Sequence, residues 1–169
     1  MVTSDKDEVD TTNPTPGTLR YGVTRTEPLW IMFAESMTIE LQGELMVSSF
    51  KTIDGRGAEV HILGSQITIE EVSNVIVHGI HVHDILPSGP RHVLQGPEVI
   101  TLRGASDGDA FHIKRSSNVW IDHCSLSKAT DGLIDVTKNS TNVTVSNCYF
   151  ENHNKVSKTC RHCRILQKI

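Results

Sequence analysis

Four aspartates in the second half of the chain have the type and spacing to bind a cation. Asp107 and Asp109 belong to an Asp-Gly-Asp tract, Asp131 follows Asp107 by 24 residues, and Asp135 comes four residues later. Carboxylates held about 5 Å apart repel one another, so they must be protonated or share a cation. An all-oxygen ligand set favours a hard ion, and several carboxylates in loose geometry favour Ca²⁺ over Mg²⁺. Taken singly, the same tracts are typical of turns.

A lysine lies one further interval along the chain. Lys155 follows Asp131 by 24 residues, so in a structure with that period it would stand beside the aspartates. A lysine ammonium in that position could hold an anionic group of a substrate. The alternative is an ordinary solvated lysine.

A repeated segment explains why 24 residues is the relevant period. Three stretches, which begin at Asn74, Asn118 and Asn142, share the order Asn, Val, any residue, then Val or Ile. Within each stretch apolar and polar residues alternate, skip one step and alternate again, which predicts two short strands joined by a bend. Asn118 and Asn142 are 24 positions apart, and we interpret the 44 positions from Asn74 to Asn118 as close to two such periods.

Repeats of this size with almost no helical periodicity predict an all-β fold, a parallel β-helix whose coils stack on one another. Equivalent residues of successive coils then lie about 4.8 Å apart. The three asparagines should therefore form a line in which each amide donates to the next. A β-sandwich is the main alternative, although it gives no reason for a constant phase, and an α/β domain would need helices that the pattern does not indicate.

Length and composition narrow the function classes. The 169 residues suffice for one domain, and a chain with 37% hydrophobic and 21% charged residues is too apolar to be disordered. Sixteen basic against 20 acidic residues give a net charge of −4, which argues against a nucleic-acid partner. No apolar run approaches the roughly 18 residues of a membrane span. The acidic start of the chain lacks the features of a signal peptide.

The cysteines are given structural roles. Cys124 and Cys148 occupy apolar strand positions, as expected of buried reduced thiols. Cys160 and Cys163 have the spacing of half a zinc site, but a lone Cys-x-x-Cys pair is a weak metal signal.

The histidines are interpreted in the same way. His78, His81 and His83 resemble a metal cluster, but His81 and His83 are predicted to face solvent, and no carboxylate is placed to orient His78. His112 and His123 are expected to be hydrogen-bonded residues of turns or of the surface, since no in-phase nucleophile accompanies them.

Several longer motifs resemble those of plant pectate lyases, the polysaccharide lyases that include several pollen allergens. The similarity runs from about Val2 to Val156, and its most specific parts are SDGDA (106–110), NVWIDHCSLSKATDGLIDV (118–136) and TVSNCYFENHNKV (144–156). The resemblance implies a right-handed single-stranded parallel β-helix. It also implies a secreted, calcium-dependent lyase that acts on de-esterified pectin, or polygalacturonate, in the plant cell wall.

The resemblance also implies roles for individual residues. Carried over position by position, it makes Asp107, Asp109, Asp131 and Asp135 calcium ligands, and it makes Lys155 a contact of the substrate carboxylate. A family motif also matches Trp-Ile-Asp-His at positions 120–123, which we interpret as structural, bracing the coil beside the site.

The resemblance ends after Val156. In the family, further coils follow, and they carry an Arg-x-Pro-Arg tract whose first arginine is the catalytic base. Here residues 157–169 form a divergent basic tail without that tract. We therefore expect residues 1–156 to form a truncated pectate-lyase-like domain, a monomer without the catalytic arginine and with little or no turnover.

Two other functions are compatible with the same solenoid. A glycoside hydrolase could use Asp107 and Asp109 as acid and base, would leave saturated ends and would need no calcium. A non-catalytic, calcium-dependent pectin-binding protein of the allergen type would bind oligogalacturonate without cleaving it.

Overall fold

The computed structural model of the protein describes residues 1–155 and the backbone of residues 163–166. A short helix, α1 (Leu19–Val23), precedes a series of coils that contain two or three short strands each. The first coil has β1 (Leu29–Met32), β2 (Met37–Glu40) and β3 (Leu45–Met46), and the second has β4 (Lys51–Asp54), β5 (Val60–Gly64) and β6 (Ile67–Glu70). The third has β7 (Ser73–His78), β8 (His81–Ile85), the strands β9 (Arg91–Gly96) and β10 (Val99–Arg103), and β11 (Phe111–Lys114). The fourth has β12 (Ser117–Asp122), β13 (Ser125–Ala129) and β14 (Ile134–Thr137), and β15 (Thr141–Ser146), β16 (Tyr149–Glu151) and β17 (Cys163–Leu166) follow.

Strands of successive coils pair in parallel and build three sheets. Sheet 1 has the order β1-β4-β7-β12-β15-β17, sheet 2 the order β16-β13-β8-β5-β2, and sheet 3 the order β14-β11-β6-β3. Each coil therefore adds about one strand to each sheet, which is the arrangement of a parallel β-helix and confirms the predicted fold class. Over the part of the chain that the structure describes, no helix is both long and apolar enough to cross a bilayer.

The inward side chains of the three sheets form one hydrophobic core. In sheet 1, Val75 and Val77 of β7 pair with Val119 and Ile121 of β12, and all four side chains are buried. Burial of each side chain of this kind contributes about 1.5–3 kcal/mol. The alternation seen in the repeated segments therefore determines which face of each strand turns inward.

Two cysteines belong to the same core. Cys124 and Cys148 are buried free thiols, which confirms the prediction for both. Their Sγ atoms lie 3.7 Å and 3.6 Å from the carbonyl oxygens of Val77 and Ile121, so each thiol has a weak acceptor inside the core.

The asparagine line exists as predicted. Asn142 Nδ2 donates to Asn118 Oδ1 (3.0 Å), and Asn118 Nδ2 donates to Asn74 Oδ1 (3.3 Å). All three residues have positive φ, between 52° and 60°, a left-handed conformation that asparagine tolerates better than most residues. Asparagine thus supplies both the backbone conformation and the amide that links the coils.

The interval between Asn74 and Asn118 is one coil, which makes the prediction of two periods wrong. Strand β12 pairs directly with β7, so the 44 residues contain a normal coil and an inserted excursion. The excursion carries the antiparallel hairpin β9–β10. At its base, Ser106 N–H donates to Ser88 O (2.9 Å), and Ser88 N–H donates to Ser106 Oγ (3.0 Å). The excursion therefore leaves the coil and returns to it at one corner.

Charged groups fasten the hairpin to the coils below. Arg103 Nε lies 2.9 Å from Glu44 Oε2, and Arg103 Nη1 lies 2.6 Å from Glu70 Oε2. Both glutamates are buried, so the arginine supplies the positive charge that their burial requires. Thr11 Oγ1 also donates to the carbonyl of His92 on β9 (2.9 Å).

A buried ion pair connects α1 to the N-terminal segment. Arg20 is 1% exposed, and its Nε and Nη2 contact the two carboxylate oxygens of Asp7 at 2.6 Å and 2.7 Å. The remaining guanidinium donors reach the carbonyls of Gly43 (2.7 Å) and Glu44 (2.8 Å). One side chain therefore ties the N-terminal segment, α1 and the turn before β3 together.

Most of the predicted divergent tail lies outside the described residues, namely 156–162 and 167–169. Cys160 belongs to that part, so the structure does not describe the Cys-x-x-Cys pair. Strand β17 pairs in parallel with β15 and adds a sixth strand to sheet 1.

Candidate metal centre

The Asp-Gly-Asp tract forms the corner that leads into β11. Gly108 has φ +91°, and a Cβ on it would lie 3.0 Å from Thr130 Cβ, so glycine suits both the conformation and the close approach. The Gly108 carbonyl accepts hydrogen bonds from the backbone N–H groups of Thr130 (3.1 Å) and Asp131 (3.2 Å). Asp107 and Asp109 therefore lie on the coil next to that of Asp131, as the period predicts.

Asp109 is the most constrained aspartate of the set. It is fully buried, with Oδ2 2.8 Å from His112 Nδ1 and Oδ1 accepting the Gly132 backbone N–H (2.7 Å). Its own N–H donates to the buried side-chain oxygen of Gln66 (3.2 Å). These contacts fix the direction of the carboxylate before any ligand binds.

Asp135 faces Asp109 across a small space beside Gly132. It is 6% exposed and pairs in register with His112 across β11 and β14. A Cβ on Gly132 would lie 2.5 Å from Asp135 Oδ1 and 2.8 Å from Asp109 Oδ1. The two carboxylates thus line one cradle that only a residue without a side chain leaves open.

Filling that cradle is expected to destabilise the protein. Gly132→Ala should lower the free energy of unfolding by about 2 kcal/mol, because the added methyl group must displace two buried carboxylates. Urea unfolding measures the difference, with Gly89→Ala as the matched control, since nothing lies within 4 Å of a Cβ at Gly89. Equal stability of the two variants would contradict the crowding that we describe.

Asp131 and Lys155 form the outer part of the centre. Lys155 Nζ lies 3.2 Å from Asp131 Oδ1, and the two side chains are 56% and 33% exposed. The lysine is therefore beside the aspartates, where the 24-residue interval predicts it. Its ammonium group keeps access to solvent.

His112 is a further member of this centre. One ring nitrogen of His112 and one carboxylate oxygen each of Asp107 and Asp109 lie within 4.8 Å of one another. The hydrogen bond to Asp109 raises the pKa of His112 despite burial, and the charges of Asp109, Asp107 and Asp135 raise it further. The histidine is hydrogen-bonded, as predicted, but its position among the aspartates was not predicted. The prevailing donors are carboxylate oxygens, which suit a hard divalent cation such as Ca²⁺.

A second cluster of titratable side chains surrounds Asp122 at the end of β12. Asp122 Oδ2 accepts hydrogen bonds from His78 Nδ1 (2.9 Å) and His123 Nδ1 (2.7 Å). Its Oδ1 accepts from Ser146 Oγ (2.6 Å) and Asn147 Nδ2 (3.0 Å). Burial would raise the pKa of Asp122, but these hydrogen bonds hold that pKa well below its usual range. The expectation that no carboxylate orients His78 is wrong, because Asp122 reaches it from the next coil.

The contacts of this cluster are those of a structural brace. The Ser146 hydroxyl donates to the Asp122 carboxylate, so no imidazole is positioned to activate it as a nucleophile. Trp120 Nε1 donates to Ser146 Oγ (2.7 Å), which links two adjacent coils. His123 is hydrogen-bonded, as the sequence predicts.

Known proteins share this fold and these residues. A sequence model of the pectate lyase family matches residues 38–161. Probable pectate lyase 22 of Arabidopsis thaliana is 53% identical over 156 residues, 92% of this chain, and pectate lyase 4 of Ambrosia artemisiifolia is 53% identical over 157 residues, also 92%. The chain spans only 36% and 39% of the length of these two relatives.

A solved structure agrees with the sequence comparison. The crystal structure of jun a 1, the major allergen from cedar pollen, superposes on 90% of this chain with a TM-score of 0.85 and 47% identity. The match covers 44% of the cedar protein. The family match extends over most of the chain and agrees with both the coil architecture and the relatives. The chain therefore belongs to the pectate lyase family.

Proposed function

We propose that the chain forms the calcium- and substrate-binding part of a pectate lyase, an enzyme that cleaves polygalacturonate by β-elimination. The single observation that supports this most strongly is the pair of buried carboxylates on adjacent coils, Asp109 and Asp135, which meet beside Gly132. Buried carboxylates without a compensating cation are costly, and a hard divalent ion would remove that cost.

The proposed metal ligands are the four aspartates of the centre. Asp109 and Asp135 supply buried oxygens whose directions are already fixed, whereas Asp107 and Asp131 supply oxygens nearer the surface. When bound, Ca²⁺ supplies electrostatic stabilisation of the negative charge that develops on the substrate carboxylate.

Lys155 is the proposed contact of the substrate carboxylate. Its ammonium now bonds Asp131 at 3.2 Å, on a side chain with four rotatable carbons that is more than half exposed. A galacturonate carboxylate beside the centre would compete with Asp131 for that ammonium group. The lysine would then draw negative charge from the sugar carboxylate while the neighbouring C5 proton is removed.

The base that removes the C5 proton is not assigned to a residue of this chain. Members of the family use the first arginine of an Arg-x-Pro-Arg tract, and the 169 residues contain no such tract. Loss of a general base typically costs a factor of ~10²–10⁴ in rate. We therefore expect this polypeptide to bind oligogalacturonate with calcium and to cleave it slowly or not at all. The substrate is a cell-wall polymer, so the proposal includes a secreted, monomeric protein.

Calorimetric titration tests the assignment. Asp131→Asn should weaken Ca²⁺ binding about tenfold, since it removes one charged ligand, which is worth ~1.5 kcal/mol or more. Lys155→Gln should leave Ca²⁺ affinity unchanged and weaken binding of oligogalacturonate about tenfold. Glu98→Gln, on the turn of the hairpin, is the matched control.

The outcomes separate the alternatives. Unchanged Ca²⁺ affinity in Asp131→Asn would reject the metal site. Absorbance of an unsaturated uronate from the purified chain would show that it contains its own base. Saturated products formed without calcium would indicate a hydrolase instead.

A further inference from the structure

Three histidines from two consecutive coils meet on the outer face of sheet 2. His61 of β5 pairs in register with His81 of β8, and their rings stack with centroids 4.6 Å apart and planes 15° apart. His83 lies two residues further along β8, and its ring meets that of His61 edge-on at 5.2 Å. All three are half-buried, so they form a compact group that solvent still reaches.

A chain of contacts runs through two of these histidines and ends in a carboxylate on each side. His83 Nδ1 lies 2.7 Å from Asp84 Oδ2, His83 Nε2 lies 3.0 Å from His61 Nδ1, and His61 Nε2 lies 3.2 Å from Glu59 Oε1. Each of the three gaps needs one positive hydrogen or ion, because carboxylate oxygens only accept. Two neutral imidazoles bring only two N–H groups. The chain is therefore one cation short.

The gap between His61 and Glu59 is the one suited to a metal ion. If Asp84 orients His83, and His83 accepts from His61 Nδ1, the lone pair of His61 Nε2 points at the Glu59 carboxylate. An imidazole whose other nitrogen is held by such a relay is the usual form of a metal-binding histidine. Two ligand atoms of a tetrahedral Zn²⁺ site lie about 3.3 Å apart for bonds of about 2.0 Å, close to the 3.2 Å observed.

His81 supplies the third ligand. One atom each of Glu59, His61 and His81 lies within 4.8 Å of the others. Glu59 is 70% exposed on its side chain, so it can rotate to close the remaining distance at little cost. Two imidazoles and one carboxylate, with a position left for water, form a known ligand set for zinc.

The surroundings favour a cation. The groove beside these residues is lined by Asp5, Glu35, Glu59 and His61, with no lysine or arginine among its described lining residues. We propose that Glu59, His61 and His81 bind a divalent transition-metal ion, with Zn²⁺ as the best chemical match, and that His83 and Asp84 are positioning residues. This centre lies on sheet 2 and shares no residue with the aspartate centre.

The test is a calorimetric titration of the full chain with Zn²⁺ in saturating Ca²⁺, which occupies the proposed aspartate centre. Cys160→Ser and Cys163→Ser in the background remove thiolate ligands. One zinc site is expected, and His81→Gln should abolish it. Asp84→Asn should weaken it roughly 10–100-fold, the usual effect of losing an outer partner of a metal-binding histidine. Asparagine suits the left-handed backbone at position 84, where φ is 52°, so this variant should fold normally.

Two controls isolate the relay. Asp84 also pairs with Lys128 (3.7 Å), so Lys128→Gln tests whether loss of that pair matters, and it should leave zinc affinity unchanged. His92→Gln, a surface histidine on the hairpin, should also bind like the parent chain. The proposal is overturned if the parent chain binds no zinc, if His81→Gln retains the site, or if His123→Gln abolishes it instead.

Discussion

Replacing Arg20 with leucine is expected to lower the free energy of unfolding by about 3–5 kcal/mol, the usual loss when one member of a buried ion pair is removed. The Asp7 carboxylate is 2% exposed on its side chain, so it would keep its charge in a buried place without its guanidinium partner. The carbonyls of Gly43 and Glu44 would lose their donors as well. Chemical denaturation followed by circular dichroism measures the change.

The matched control for this prediction is Arg25→Leu. Arg25 and Glu27 also form an ion pair, at 3.3 Å, but their side chains are 39% and 50% exposed. Exposed pairs of this kind contribute about 0–1 kcal/mol. Adding Asp7→Asn to Arg20→Leu should restore part of the lost stability, since the unpaired charge is then gone. Similar losses in the two arginine variants would show that burial of the pair is not what stabilises the N-terminal segment.

Asp122→Ala is expected to cost about 3 kcal/mol of stability, because a buried carboxylate that accepts four hydrogen bonds disappears. Its partners come from three neighbouring coils, so the loss falls on the stacking of sheet 1 and not on one turn. His123→Gln is the control, since it removes a single exposed partner and should cost under 1 kcal/mol.

The loss in Asp122→Ala should depend on pH. The pKa of Asp122 in the folded protein is well below its usual range, so its stabilisation is fully present above the unfolded value of about 4. Stabilisation then declines as the pH falls below about 4 towards the folded pKa. The difference in unfolding free energy between the parent and Asp122→Ala should therefore shrink between pH 5 and pH 3. A difference that grows in acid would contradict this assignment.

The sequence predicts the coil stack because its repeats are in phase. Asn118 and Asn142 predict the ladder, and the same interval places Asp131 beside the Asp107–Asp109 tract and Lys155 beside Asp131. A period is a statement about which residues are vertical neighbours. It therefore transfers from the asparagines to any other residue in the same part of the coil.

The parts that could not be predicted are those where coil length changes. An inserted hairpin brings the Asn74–Asn118 interval to nearly two periods, and spacing alone does not distinguish an excursion from an extra coil. In sheet 2, His61 and His81 pair although they are only 20 positions apart, so the 24-residue phase does not bring them together.

Side-chain direction is the other limit. The interval predicts that the aspartates gather, but it does not reveal that Asp109 is buried between His112 and Gly132 while Asp131 remains partly exposed. Those differences depend on rotamers and on contacts from the neighbouring coil. The link between His78 and Asp122 escaped for the same reason, since the two residues meet across one coil and 44 positions of sequence.

The serine clasp at the base of the hairpin has a consequence for how such enzymes diversify. Because Ser88 and Ser106 close the excursion where it leaves the coil, its length can vary without disturbing the pairing of β7 with β12. The same strip of chain runs directly into Asp107. Insertions and deletions there offer evolution, or an engineer, a way to reshape the rim around a fixed ionic floor and so to alter which polymers fit.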